Sequence, residues 1–133
     1  MQIVRWILFF PVSVVCGYVA YAIGGAVNNF SVDLLTGNPP EGLMKIIMDA
    51  AAYLYLGAVT TFVAVKVAPS RPSYVAAGIF VFLLIFAGVT VVPSAAVDTF
   101  YAVSTIIGLF LGCVGIQAGI FIGEIVPFGE KRK

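Results

Sequence analysis

The sequence contains no histidine, only two cysteines and few charges: 10% of its 133 residues are Asp, Glu, Lys or Arg. Without histidine the chain supplies no His ligand to haem, no His-containing metal site and no imidazole general base. Cys16 and Cys113 each lie inside an apolar run. A thiol there reads as a small core hydrophobe rather than half of a metal or redox pair. The formal net charge of +1 leaves no basic surplus to hold a nucleic acid. Nucleophile elbow, phosphate loop and paired catalytic carboxylates are missing too. The chain therefore offers no chemistry on which to place an enzyme and no residue set that calls for a cofactor.

What the chain has in abundance is apolar side chain: 62% of residues are hydrophobic and the mean hydropathy is +1.12. A soluble domain of this size could not cover so much apolar surface with so few polar groups. Long apolar runs break at a few polar, proline-containing stretches, which places helices at about 3–27, 39–67, 73–92 and 97–124. Each is long enough for a hydrocarbon core of roughly 30 Å at 1.5 Å per residue, and none alternates as a barrel strand does. The fold expected is an all-α integral membrane protein, a compact antiparallel bundle of four transmembrane helices in one domain. The first run, WILFFPVSVVCGYV after Arg5, resembles a signal peptide, with Ala20-Tyr21-Ala22 as a cleavage motif. The apolar stretch continues past that motif to Val27, which favours a retained helix.

Seven basic residues orient the bundle. Arg5, Lys66, Arg71, Lys131, Arg132 and Lys133 fall on one face, and Lys45 alone falls near the other. The positive-inside rule then puts both termini in the cytoplasm and the 28–38 loop outside. The expected location is a plasma membrane, the inner membrane of a bacterium. In the stretch NNFSVDLLTGNPPEG at 28–42, Asn38, Pro39 and Glu41 have the spacing of an N-cap, a first helical residue and a capping-box acid. Asn29-Phe30-Ser31 also matches a glycosylation sequon. The links VAPSRPS and VVPSAAVD are short, so helices two, three and four are expected to pack in order, with the first closing onto the fourth.

Two stripes of small residues stand out. Ser13, Gly17, Ala20 and Gly24 on the first helix, and Gly108, Gly112, Gly115 and Gly119 on the fourth, share the same spacing of four, three and four. Small residues let helix backbones approach in lipid. A contact between helices one and four, or between one of them and its copy, is therefore expected. Gly57 and Thr61 form a shorter version on the second helix. A glycine-lined passage is the competing interpretation, with Thr60, Thr61, Ser104, Thr105 and Gln117 as its polar lining.

Among polar residues, Glu41, Lys45 and Asp49 form an i,i+4 stripe with Tyr53 one turn further on. If the helix enters lipid near Leu43, Asp49 lies roughly 9 Å deep, where a carboxylate needs a partner, water or a proton. Tyr18, Tyr21, Tyr55 and Tyr101 belong to the same outer half. The alternatives are an interfacial Lys45–Asp49 pair within an aromatic belt and an ion or substrate site. Arg5, Lys66, Arg71, Glu124 and Lys131-Arg132-Lys133 read as a cytoplasmic anchor beside the headgroups of the lipid bilayer. The function expected is a structural or accessory subunit of a membrane complex, meeting copies of itself or another subunit through its small-residue faces. The alternative is a small channel or a proton- or cation-coupled transporter using Asp49.

Overall fold

The computed structural model describes residues 2–68, 71–95 and 99–122. It is all-helical: α1 is Gln2–Thr36, α2 Gly42–Val67, α3 Pro72–Ala95 and α4 Thr99–Phe121. Each of the four is long and apolar enough to cross a membrane. Glu124 and Lys131-Arg132-Lys133 of the expected anchor lie outside the described residues, as does the end expected for the fourth helix at 124.

The 28–38 loop is mostly helix. α1 continues nine residues beyond Val27, because nothing before Gly37 breaks it and its hydroxyls bond back into the helix. Ser31 Oγ donates to Val27 O at 2.7 Å and Thr36 Oγ1 to Val32 O at 2.7 Å. Gly37 then ends the helix with φ +72° and an N–H donated to Asp33 O at 2.8 Å, a left-handed cap that glycine adopts freely. The expected cap at Asn38 is not formed: α2 begins at Gly42, with Glu41 extended at its N-cap and making no side-chain cap bond. Pro40 is the physical reason, since a proline pushes the residue before it, Pro39, out of helical conformation. Asn38 instead donates its backbone N–H to Thr36 Oγ1 at 3.4 Å.

α2, α3 and α4 pack in order as expected, but α1 closes onto α2 rather than α4. α2 is the hub, packed against α1, α4 and α3, while α4 also packs on α3. Among the described residues the α1 backbone does not approach α4. It reaches α3 through side chains, with the Phe10 and Phe82 rings 4.7 Å apart. The core runs from Leu56, Ala64 and Val65 on α2 through Val75, Ile79 and Leu83 on α3 to Leu109 and Cys113 on α4.

Arg5 fixes the end of this arrangement. Its Nε donates to Val67 O at 2.9 Å and its Nη2 to Ala68 O at 3.2 Å. These carbonyls belong to the last turn of α2, which has no intrahelical donors for them and carries partial negative charge. The guanidinium fork is thus a C-cap for α2 delivered by α1. Arg5→Ala should cost about 1.5–3 kcal/mol, the range for hydrogen bonds from a charged donor. Arg5→Lys should recover part of that, because an ammonium lacks the planar fork. Thermal unfolding followed by circular dichroism in detergent reads both, and a wild-type midpoint for Arg5→Ala would show the clamp to be without weight.

Candidate functional site

The glycines of α4 divide into two sets. A methyl group placed on Gly108 would collide with Ala50 O, and one on Gly112 would collide with Leu54 O and fall 2.9 Å from Ala58 N. On the facing helix, a methyl on Gly57 would fall 2.7 Å from Leu109 O. These residues therefore bring the α2 and α4 backbones into direct contact, and no passage runs between them there. Thr61 Oγ1 donates to Cys113 Sγ at 3.5 Å and Cys113 Sγ to Gly57 O at 3.8 Å across the same seam. Cys113 is accordingly a buried core thiol, while Cys16 is half-buried. Gly115, in contrast, is exposed with nothing within 4 Å of its added methyl, and Gly119 is half-buried.

The α1 stripe meets α2 rather than α4. Gly17 lies directly under the Thr60 hydroxyl, and Gly24 lies under the Tyr55 ring. Ser13 is buried with its Oγ donating to Phe10 O at 2.8 Å, and Ala20 is half-buried. The expected helix one–helix four contact is thus overturned within the monomer. The reason is that α2 carries small residues on two sides: Ala50, Gly57, Ala58 and Thr61 toward α4, and Thr60 toward α1. It accepts both stripes at once. Thr60 is fully buried and its Oγ1 has no hydrogen-bond partner. Its proximity to Gly17 leaves it a weak Cα–H contact at most.

Asp49 and Tyr53 are half-buried on α2, and Lys45 is exposed one turn before Asp49. Lys45 acts on Asp49 through its charge and not through a hydrogen bond. Tyr53 packs against Tyr21 of α1, with ring centroids 5.0 Å apart at 63°. Tyr101 of α4 lies close enough to feel the charge of Asp49, with its phenol beside the buried Thr105 hydroxyl. The structure therefore brings Tyr21 of α1 onto Tyr53 of α2 and sets Tyr101 of α4 nearby, where the sequence pattern put Lys45, Asp49 and Tyr53 on one face and Tyr21 and Tyr101 only in the same outer half. Tyr21 could be placed in the outer half of the bundle from sequence, but not on the α2 side of α1.

Below the tyrosines is a feature that the sequence does not announce. Because α1 and α3 flank α2 without backbone contact, a slot of about 120 Å³ opens between them. Val14, Tyr18 and Tyr21 form one wall, Phe82, Leu83 and Phe86 the other, and Tyr53, Leu56 and Thr60 the floor. Of the remaining anchor residues, Lys66 is partly buried with Nζ 5.6 Å from the Phe62 ring centre, and Arg71 is exposed with φ +54°.

No family model matches the chain, and no curated protein and no solved structure shows a significant match to it. The chemistry of the site thus stands on geometry alone. The two sets of glycines make a direct test of it. Gly112→Leu should destabilise the fold by about 1–3 kcal/mol or prevent folding, as overpacking does. Gly115→Leu should leave the unfolding midpoint in detergent where it is. Equal effects of the two would remove the distinction.

Proposed function

We propose that the protein is a non-enzymatic structural or accessory subunit of a membrane assembly, acting through helix contacts with a second copy or another subunit. The observation that carries this reading is the division of the α4 stripe. Gly108 and Gly112 are used inside the monomer, while Gly115 leaves an open strip flanked by exposed Leu111 and Ala118. In lipid such a strip gains stability only from another backbone pressed against it. The test is association in nanodiscs. Gly115→Leu should lower oligomer mass or partner recovery while the monomer keeps its helicity, and unchanged association would sink the reading.

The location we propose is the plasma membrane, the inner membrane of a bacterium, with both termini cytoplasmic, supported by the six-to-one distribution of basic residues. Reporter tags at the N-terminus, position 70 and the C-terminus should then report cytoplasm, and a tag at Gly37 the opposite side. A cytoplasmic signal at Gly37 would overturn the four-span topology.

A second reading, a small channel or ion-coupled transporter, draws on the half-buried Asp49 carboxylate among Tyr53 and Tyr101. Liposomes carrying the wild type should then pass protons or monovalent cations above empty controls, with the flux reduced by Asp49→Asn. Absence of flux from folded protein would dispose of it.

A further inference from the structure

Tyr53 on the floor of the aromatic slot stands one turn from the Asp49 carboxylate on α2, a feature that a subunit role does not use. We infer that this feature binds a lipophilic ammonium cation, its apolar body in the slot and its charged head among the tyrosines beside Asp49. Size is the first argument. An apolar cavity of about 150 Å³ takes a benzene molecule, so a slot of about 120 Å³ suits one phenyl-sized body or a short length of alkyl chain.

The walls supply the second argument. Phe82 and Phe86 face Tyr18 and Tyr21 across the slot, and the Tyr21–Tyr53 pair closes its rim with ring centroids 5.0 Å apart. Electron-rich ring faces attract a cation most strongly where water is excluded. The tyrosines carry the slot's phenol groups and include Tyr53, the lining residue one turn from Asp49, so the head of an occupant belongs at the tyrosine end.

Charge is the third. Asp49 stands one turn from Tyr53 on the same face of α2, and Tyr53 itself lines the slot. Lys45, the nearest basic residue on that helix, is exposed one turn further out and makes no hydrogen bond to Asp49. A metal ion is a poorer fit: hard cations want several oxygen ligands, and among the described residues no group of three His, Cys, Asp or Glu converges. One carboxylate surrounded by aromatic rings matches a soft, weakly hydrated organic cation instead.

The inference rests on the second reading only in treating Asp49 as a functional group, and it requires no flux. The test is equilibrium binding of benzyltrimethylammonium to the full chain in nanodiscs of zwitterionic lipid. Neopentylbenzene, the uncharged carbon analogue, serves as competitor. Saturable binding at one site per chain is expected. Asp49→Asn should weaken it at least tenfold and Phe86→Leu severalfold, both variants keeping wild-type helicity and size. Neopentylbenzene should compete at least tenfold less well than unlabelled cation. The inference is overturned by absence of saturable binding to folded wild type, by equal binding to Asp49→Asn, or by equal competition from the neutral analogue. That last result would make the slot a resting place for any lipid tail. Binding without flux supports this inference while removing the transporter reading; flux of protons without binding does the reverse.

Discussion

Helices in hydrocarbon gain nothing by hiding apolar side chains from it, so close backbone approach must join side-chain packing and interhelical hydrogen bonds in holding them together. In this chain that closeness is concentrated on α2. Its carbonyls at Ala50 and Leu54 receive Gly108 and Gly112 of α4, and Thr60 receives Gly17 of α1. Everything else in the architecture follows from a hub that accepts two neighbours on two narrow faces. α1 and α4 are kept apart because α2 lies between them. α3 completes the arrangement by packing on α2 and α4, which leaves the α1–α3 gap as the slot.

The polar groups obey the same economy. Hydroxyls within the helices return to carbonyls of the preceding turn, as Ser31, Thr36, Thr90 and Ser104 do at 2.7–2.8 Å. Each is thereby removed from the list of groups that need a partner elsewhere. Arg5 does the converse, satisfying carbonyls on a helix not its own. Against that background Asp49 is conspicuous, since a carboxylate has no proton with which to bond back to its own helix. Its surroundings of phenols across three helices are what the bundle provides in place of a backbone partner.

Much of the fold was legible from residues because apolar run length and proline position are local properties. Leu43 to Val67 and Thr99 to Phe121 read as helices for the same reason that they form them. Partner choice was not legible. The Gly17 and Gly112 stripes match each other in spacing, and spacing alone cannot say that both are complementary to a third helix. The small residues of α2 were the available signal, but they occur on several sides and form no single stripe. The polar look of 28–36 misled for another reason: composition suggested a loop, whereas the helix ends only where a residue takes left-handed φ, and Asn28 and Asn29 stay helical while Gly37 takes it. Of the site, Asp49 and Tyr53 were readable as i,i+4 neighbours. The slot was not, because it is made by the absence of backbone contact between α1 and α3.

The length of α1 has a mechanical meaning. Its 35 residues make a rod of roughly 52 Å at 1.5 Å per residue, well beyond a hydrocarbon thickness of about 30 Å. Arg5 pins one end to the last turn of α2, so the surplus emerges wholly at the other end. There Phe30, Leu34 and Leu35, 66–84% exposed, alternate with Asn29, Ser31 and Asp33. Asp33 and Asn29 hold this stretch at the headgroups or in water, because a carboxylate in hydrocarbon needs a partner or a proton. On the membrane reading proposed above, a change in hydrocarbon thickness would be met first by this overhang, while the other end of α1 stays fixed to α2 by Arg5.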